Sequence, residues 1–296
     1  MLEFKQIELS DKEWIDKLLS YRGYQGSEYT YTTNFIWGRN YNIQVARMDN
    51  YFLSRGGLES PRFVFPSGEG DIKPVIRALE EYSDRLGIPL TLHSVNDETK
   101  SILETVFPGE FEIREERRAF DYIYKTEKMI NLGGKKLHAK RNYINGFKRD
   151  YEGRWSFEPI TADNLPECLI MNEKWCEQNN CMDDHKKKTE ICAVKRALIS
   201  FFELGLVGGM LKIDGKAVGY SAGSRLNHNT FIVHIEKAFA EIRGAYPMLA
   251  NQFAKHACGE YEYINREDDA DSENLRKAKL SYYPEYLLTK YTARKV

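Results

Sequence analysis

The same order of predicted elements occurs twice along the chain. In each half a hairpin is followed by a strand, a turn, a helix, a strand, a helix and a strand. Alternating apolar residues predict the strands, and apolar residues three or four positions apart predict the helices. The repeat is one of element order, not of residue identity. The sequence therefore predicts an α+β (α/β) protein of two similar folds, each a mixed sheet flanked by helices.

The boundaries of these elements follow from turn and capping residues. In the first half we predict helices over 11–21, 71–86 and 97–106, with Asp71 as a cap, and strands over 41–45, 51–54, 62–65 and 90–95, with 111–124 mostly strand. In the second half we predict helices over 164–178, 188–204 and 246–258, a hairpin of 209–213 and 217–223 around Asp214-Gly215, and strands over 155–160, 230–239 and 261–264. A short helix after Ser272 and a last strand or extended tail over 286–291 complete the chain.

Composition limits the class of protein. The 296 residues are 42% hydrophobic and 29% charged, with a formal net charge of -1, which suits a soluble globular protein of one large or two ordinary domains. This charge balance excludes a global basic field, so any contact with nucleic acid needs a local patch. The N-terminus has no signal-peptide pattern, and the most apolar run, 197–211, is too short to span a bilayer. We therefore expect a cytoplasmic protein without an integral membrane segment, and five reduced cysteines.

One basic stretch separates the two halves. It runs over 125–154, and we predict an N-terminal domain over 1–130, a basic inter-domain helix over 131–153 and a C-terminal domain over 154–296. Leu137, Ile144 and Phe147 form a helical stripe, and Arg141 shares that face. A charged group there needs either a partner or a ligand. Arg141 is thus a candidate substrate-binding residue or the member of an internal ion pair.

The densest group of ionisable and aromatic residues lies near the C-terminus. Its pattern contains Asn265, Glu267 and Asp268, followed by Leu275-Arg276, Lys279, Ser281-Tyr282, Pro284, Leu288 and Lys290-Tyr291. Such a segment is either a solvated helix and loop or the rim of a polar pocket. The pattern resembles the C-terminal domain of bacterial lysyl-phosphatidylglycerol synthases and the stand-alone relatives of that domain.

This resemblance implies two GNAT-type acyltransferase folds in tandem, related to the Fem-type aminoacyltransferases, with aminoacyl-tRNA as donor. The relatives carry a basic helix with an Arg-Asn pair, which Arg141-Asn142 matches. The full-length synthases also carry a membrane-embedded half that these 296 residues do not contain, so a lipid acceptor is not favoured.

The strand predicted over 230–239 holds candidate catalytic residues. With a period of two, His234 and Glu236 share one face, and the central strand of GNAT-type enzymes often carries a general base. We take both residues, together with Tyr282 of the C-terminal pattern, as catalytic candidates. The alternative is a half-exposed strand face that uses polar residues.

Six residues are candidates for substrate binding. The acidic and amide side chains would hold an amino group and the basic ones a phosphate or carboxylate. We expect them to converge on a polar cleft between the two folds, or else to form a salt-bridge network that locks the folds together. The six are Arg141, Asn265, Glu267, Asp268, Arg276 and Lys279.

Coenzyme A or an acyl-CoA is the cofactor that the sequence allows, although none is assigned with certainty. A partial phosphate-loop pattern opens a predicted helix, where backbone N–H groups could hold a pyrophosphate. Its residues are Arg243, Gly244, Ala245 and Tyr246. The counterpart in the first half, 68–71, places an acid where phosphate would lie, so we expect no cofactor there.

No metal site is predicted. Cys176, Cys181, His185 and Cys192 match no common zinc spacing. A nucleophile elbow, a Walker loop and a complete dinucleotide fingerprint are also absent from the sequence.

The sequence therefore predicts an acyltransferase of GNAT type, with a small-molecule substrate and aminoacyl-tRNA as a candidate partner. It would move an aminoacyl or acyl group to an amine or hydroxyl. The alternatives are a CoA-dependent N-acetyltransferase and a non-catalytic ligand-binding module on the same fold. The sequence assigns no oligomeric state.

Overall fold

A computed structural model describes residues 2–296, apart from the side chains of Met182, His185 and Lys186. The chain forms two compact units. The first contains the chain up to Asp121 together with Asp268–Ser272 and Leu287–Val296, and the second contains Tyr122–Glu267 and Glu273–Tyr286.

The elements up to residue 115 belong to the first unit. They are β1 (Lys5–Gln6), α1 (Lys12–Ser20), α2 (Tyr31–Trp37), β2 (Gln44–Met48), β3 (Tyr51–Gly56), β4 (Arg62–Val64), β5 (Ser67–Gly68), α3 (Ile72–Arg85), β6 (Thr91–Val95), α4 (Asp97–Val106) and β7 (Phe111–Glu115), with 3₁₀ helices at Leu9–Asp11 and Ser27–Tyr29.

The rest of the chain builds the second sheet and then returns to the first. These elements are β8 (Asp121–Lys125), α5 (Thr126–Asn131), α6 (His138–Asp150), β9 (Trp155–Pro159), α7 (Leu165–Gln178), α8 (His185–Ile199), β10 (Val207–Ile213), β11 (Lys216–Arg225), β12 (Thr230–Ala238), α9 (Ala245–Ala257), β13 (Tyr263–Asn265), α10 (Glu273–Leu280), β14 (Tyr286–Leu288) and β15 (Tyr291–Lys295), with 3₁₀ helices at Arg117–Ala119 and Cys181–Asp183.

Each sheet is mixed. The first has the order β1-β2-β3-β4-β6-β15-β7, with β5 paired to β3, and only β4 and β6 run parallel among these pairs. The second has the order β14-β8-β13-β12-β11-β10-β9, and within it β12 and β13 run parallel. The predicted fold class, two mixed sheets flanked by helices, is confirmed.

Local capping and turn chemistry accounts for the elements that the sequence located well. The Asp71 carboxylate accepts from the N–H of Lys73 at 2.9 Å and begins α3 as predicted. Asn96 and Thr99 form a capping box that begins α4. Asp214 and Gly215 both have positive φ, 49° and 73°, as a two-residue hairpin of type I′ requires.

The C-terminal segment differs from its prediction. We predicted a last strand or an extended tail over 286–291, but the structure contains two strands here, β14 and β15, that belong to different sheets. Lys290, which lies between them, is 1% exposed and is paired with Glu28 and Asp121 in the first unit. Strand β15 lies between β6 and β7, although the sequence assigned the whole of 154–296 to one domain. This pairing joins residues far apart in the chain, so local periodicity could not indicate it.

Within residues 2–296, none of the helices combines the length and the apolar character that a bilayer crossing requires.

Candidate functional site

A cavity of about 420 Å³ opens in the second unit. Every residue that lines it belongs to that unit. The lining combines charged, aromatic and apolar side chains: Lys140, Trp175, Glu190, Val233, His234, Glu236, Lys237, Tyr246, Pro247, Arg266, Glu267, Leu275, Ala278, Lys279 and Tyr282.

The position of the cavity follows from the way in which β12 pairs with its two neighbouring strands. Strand β13 runs beside β12 only along residues 230–232 and then ends at Asn265, so the later part of β12 leaves that neighbour. Opposite β11 the register shifts, because Ala222 pairs with Ile235 whereas Gly223 pairs with Val233. His234 is therefore the extra residue of a β-bulge, a feature that often re-aims a side chain next to a site.

Because of this bulge, the alternation of faces predicted for β12 is wrong at His234. The sequence placed Val233 and His234 on opposite faces, but both line the cavity. A strict period of two holds only where the ladder is regular, and the extra residue at the bulge breaks it.

His234 connects two side chains in a chain of hydrogen bonds. Its Nδ1 lies 2.9 Å from Oε1 of Glu267, and its Nε2 lies 3.0 Å from Oγ of Ser224. A carboxylate only accepts, so Nδ1 of His234 donates to Glu267, while Nε2 shares a hydrogen bond with the serine hydroxyl. The His234 side chain is 0% exposed, whereas that of Glu267 is 23% exposed. The histidine therefore fixes the orientation of a carboxylate that a ligand can reach.

The backbone at Glu267 is held in an unusual conformation. Its φ is +56°, in the left-handed region that non-glycine residues rarely adopt. The Asn265 side chain accepts from the Glu267 N–H at 2.6 Å, and the Lys279 ammonium donates to the carbonyls of Arg266 and Glu267. These bonds hold the strand end in a conformation that costs energy, as is common at functional sites.

Arg266 and Glu236 form an ion pair at the cavity wall. Nη2 of Arg266 lies 2.6 Å from Oε1 of Glu236, and the two side chains are 11% and 17% exposed. The guanidinium also lies over the rings of Tyr282 and Tyr124, 5.0 Å and 5.6 Å from their centroids. Nη1 of Arg266 is buried and has no hydrogen-bond partner among the described residues.

Lys140 brings a second cation to the same wall. Its ammonium lies 4.0 Å from the centroid of the Tyr282 ring. Burial, together with the nearby Arg266 guanidinium, lowers the pKa of Lys140 to about 8, although Glu236 acts in the opposite direction. Lys140 makes no hydrogen bond or ion pair with any of the described side chains.

The other end of the cavity is aromatic. The Lys237 ammonium lies 3.5 Å from the centroid of the Trp175 ring and pairs with Glu190. Trp175 donates its indole N–H to the Tyr246 hydroxyl at 3.3 Å. This end can hold an apolar or aromatic side chain of a ligand.

The structure brings together about half of the residues selected from the sequence. Those that line the cavity are His234, Glu236, Tyr246, Glu267, Lys279 and Tyr282. Arg141 instead donates to the backbone carbonyls of Leu132 and Gly134, and the Asp268 carboxylate accepts from the Ala270 N–H. Asn265 acts through the Glu267 backbone, and Arg276 is not part of the lining.

The lining also includes residues that the sequence analysis did not select. Lys140 immediately precedes the chosen Arg141, and Arg266 lies inside the chosen Asn265–Asp268 segment. The sequence analysis therefore selected the neighbour of each residue but not the residue itself. Lys237 directly follows the chosen Glu236 on the same strand. Trp175 and Glu190 lie on α7 and α8, and nothing local in the sequence marks them.

The candidate phosphate loop is occupied by protein contacts. Gly244 has a φ of +85°, and a Cβ added there would lie 2.5 Å from the carbonyl oxygen of Tyr143. The Ala245 N–H donates to the Ile242 carbonyl, and the Arg243 guanidinium lies over the Tyr143 ring. Helix α6 therefore packs where a pyrophosphate would approach Gly244.

Metal ligands do not cluster among the side chains that the structure describes, since no group of three His, Cys, Asp or Glu could hold an ion. The side chain of His185, one of the residues considered for zinc, lies outside the described residues. Burial raises the pKa of the Cys181 thiol to about 11, so this thiol is protonated at neutral pH.

Comparison with known proteins agrees with this fold. The chain is 37% identical to a conserved protein of unknown function from Bacteroides thetaiotaomicron, with a TM-score of 0.95 and complete coverage of both chains. A C-terminal domain assigned to a lysylphosphatidylglycerol synthetase from Agrobacterium fabrum has a TM-score of 0.69 at 15% identity, covering 97% of this chain and 92% of that one. L-PGS from Bacillus licheniformis has a TM-score of 0.62 at 14% identity, with 88% and 85% covered. At these low identities the last two show a shared fold.

Sequence comparison identifies the family. An uncharacterized protein of Mycoplasmoides gallisepticum is 28% identical over 179 residues, which is 59% of this chain and 56% of that protein. The family described as "Phosphatidylglycerol lysyltransferase, C-terminal" matches residues 21–294, nearly the whole chain. The chain therefore belongs to the family of phosphatidylglycerol lysyltransferase C-terminal domains.

Proposed function

We propose that this protein is a transferase that moves an aminoacyl group from aminoacyl-tRNA to an amine acceptor in the cavity of the second unit. The observation that carries the proposal is the Glu267 carboxylate, which His234 orients at a wall that also presents the Arg266 and Lys140 cations. Acyl transfer to an amine needs a group that accepts the amine's proton, and a positioned carboxylate can do so.

The chemistry assigns one role to each of these residues. The acceptor amine donates a hydrogen bond to Glu267 and attacks the ester carbonyl carbon of the donor. The new C–N bond forms as Glu267 takes the proton, and the tetrahedral intermediate then expels the ribose oxygen, which receives that proton. The products are an amide and an uncharged tRNA hydroxyl.

His234 acts here as a positioning residue and not as the base. Both of its ring nitrogens are engaged, by Glu267 and Ser224, and its side chain is fully buried. Glu236 is likewise occupied by Arg266. Burial raises the pKa of Tyr282, so its hydroxyl is a poor acid, and its ring contacts the two cations.

The choice of donor rests on the family and on the basic stretch. The family's described activity is that of a lysyltransferase, which supports an aminoacyl donor. The stretch over 125–154 supplies lysines and arginines that can contact phosphates of a tRNA. The packing of α6 against Gly244 counts against the CoA-dependent alternative at that position.

The test is a transfer assay with two donor sets. Purified protein is incubated with labelled aminoacyl-tRNAs or with acyl-CoA esters, in each case with a pool of amines and hydroxyl compounds, and the products are identified by mass spectrometry. We expect an aminoacyl amide from the tRNA set only. Products from the CoA set alone would replace the proposed donor, and no product from either set would support a non-catalytic binding module.

The matched variants are Glu267→Gln and Glu262→Gln. The first keeps an oxygen for the His234 hydrogen bond but removes the base, so kcat should fall by about a hundredfold with an unchanged melting temperature. Glu262 is 51% exposed and lies outside the cavity lining, so its variant should keep full activity. Equal activity of the two variants would contradict the role of Glu267.

A further inference from the structure

We propose that the wall formed by Lys140 and Arg266 is a carboxylate-binding subsite, so that the acceptor is an α-amino acid. This inference rests on the proposed function, because it takes the same cavity as the acceptor site. It adds the chemical class of the acceptor, which neither the fold nor the family description supplies.

The pairing of the charged lining residues leaves two donors at this wall without an acceptor in the part of the chain that the structure describes. Arg266 pairs with Glu236, Lys237 pairs with Glu190, and Glu267 is bonded to His234. Lys140 has no acidic or hydrogen-bonding partner among the described residues, and Nη1 of Arg266 is buried without one. Buried or half-buried donors of this kind are costly unless something accepts from them.

These two donors lie close to the same aromatic ring, that of Tyr282. Its centroid lies 4.0 Å from the Lys140 ammonium and 5.0 Å from the Arg266 guanidinium. Two cations held this close repel one another, which is consistent with the lowered pKa of Lys140. An anion between them would relieve the repulsion and accept from both.

A carboxylate fits this wall better than a phosphate. It is planar and presents two oxygens, one for Nη1 of Arg266 and one for the ammonium of Lys140. It carries a single negative charge, which balances the charge of the Lys140 ammonium. A phosphate monoester carries roughly −1.5 to −2 at neutral pH and would leave part of its charge uncompensated.

The same cavity provides for the rest of an amino acid. Glu267 can accept from the α-amino group, and the aromatic end at Trp175 and Tyr246 can pack against a side chain. The cavity volume of about 420 Å³ lies within the range of small-ligand sites, roughly 300–1,000 Å³. An α-amino acid would thus place its nucleophilic nitrogen beside the proposed base.

The experiment measures binding, without turnover. Melting temperature and calorimetric affinity are measured at pH 7 for the intact protein with each proteinogenic amino acid, with the corresponding decarboxylated amines, with glycyl dipeptides, and with inorganic phosphate. We expect at least one amino acid to bind, and its decarboxylated amine to bind at least about tenfold more weakly, because it lacks the charge-assisted bonds. Dipeptides that bind as well as the amino acid would place the carboxylate on a peptide acceptor instead.

Lys140→Met and Lys148→Met are the matched variants. Both lie on α6, but Lys148 is exposed and outside the cavity lining. Lys140→Met should reduce the amino-acid affinity to about that of the amine, whereas Lys148→Met should bind like the natural protein. Arg266→Lys, which keeps a cation for Glu236 but removes Nη1, should also weaken amino-acid binding.

Three results would overturn the subsite. They are binding of phosphate in place of any amino acid or dipeptide, equal affinity for amino acid and amine, and an unchanged affinity ratio in Lys140→Met. A protein that transfers aminoacyl groups only to amines without a carboxylate would retain the proposed function while this inference fails.

Discussion

Individual residues at the site are held in states that their surroundings do not favour. Lys140 is half-buried beside Arg266 with its pKa lowered to about 8, and Glu267 has a left-handed backbone. Each feature costs stability in the folded protein, and natural proteins keep such costs mainly where function needs them. The stability of site variants therefore tests whether these residues are structural.

Lys140→Met should stabilise the protein at pH 7 by about 1–2 kcal/mol, after discounting the pKa shift for partial exposure. In the unfolded chain this lysine keeps its ordinary pKa near 10.5. Below pH 8 the buried ammonium destabilises the folded state fully. Between pH 8 and about 10.5 the folded state holds fewer protons than the unfolded state, so the free energy of unfolding rises with pH.

Urea denaturation at pH 7 and pH 10 measures this difference. The advantage of Lys140→Met over the natural protein should shrink at the higher pH, and Lys148→Met should show neither the gain nor the pH dependence. A loss of stability in Lys140→Met at pH 7 would show that Lys140 has a structural partner.

Among the elements, α9 and β12 decide the shape of the site. The bulge at His234 turns consecutive residues of β12 toward the cavity, and the start of α9 is fixed by the approach of α6 to Gly244. The contact between α6 and Gly244 changes the interpretation of the Arg243–Tyr246 pattern. A glycine needed for helix packing and a glycine needed for phosphate binding cannot be distinguished from this short pattern in the sequence.

Gly244→Ala should destabilise the protein whether or not CoA binds. The new Cβ would meet the Tyr143 carbonyl at 2.5 Å in addition to the strain of a positive φ. We expect a loss of about 2–4 kcal/mol. Gly205→Ala is the control, since its φ is +69° and nothing lies within 4 Å of the added atom.

The Gly205→Ala control should be destabilised only by the strain of a non-glycine residue at positive φ, about 1 kcal/mol. The two variants are compared by thermal unfolding at one pH. Equal losses would show that α6 can move away from Gly244, and would restore this loop as a candidate for phosphate binding.

For the whole chain, the most consequential feature is the return of its C-terminus to the first sheet. Strand β15 pairs with β6 and β7, and the buried Lys290 ammonium bonds to Glu28 and Asp121 at 2.7 and 2.9 Å. The first unit therefore requires residues from both ends of the sequence. Folding of this unit needs a contact of very high sequence separation, which carries a large loop-closure entropy.

Lys290→Met should destabilise the first unit by about 3–5 kcal/mol, because it leaves two acids without their shared cation and Asp121 is 0% exposed. Lys277→Met, at a lysine whose side chain is 70% exposed, should change stability by less than about 0.5 kcal/mol. Hydrogen exchange locates the effect. Protection in β6 and β7 should fall in Lys290→Met, and unchanged protection there would contradict this role.

The sequence by itself determined the features that local chemistry controls. The capped helices α3 and α4, the Asp214-Gly215 hairpin and the repeated element order all follow from residues within a few positions of one another. The C-terminal pattern also indicated the family, and it contains Glu267 and Lys279, which the structure places in the cavity lining. These signals are local because caps, turns and periodicity act over one or two turns of chain.

Only the tertiary structure decided the rest. Trp175, Glu190 and Arg266 meet at one cavity because α7, α8 and the end of β13 come together in space, which no spacing in the sequence records. The bulge at His234 arises from pairing with β11, and the place of β15 arises from β6 and β7. Strand pairing and burial depend on residues distant in the chain, so the role of each side chain was settled by its neighbours in space.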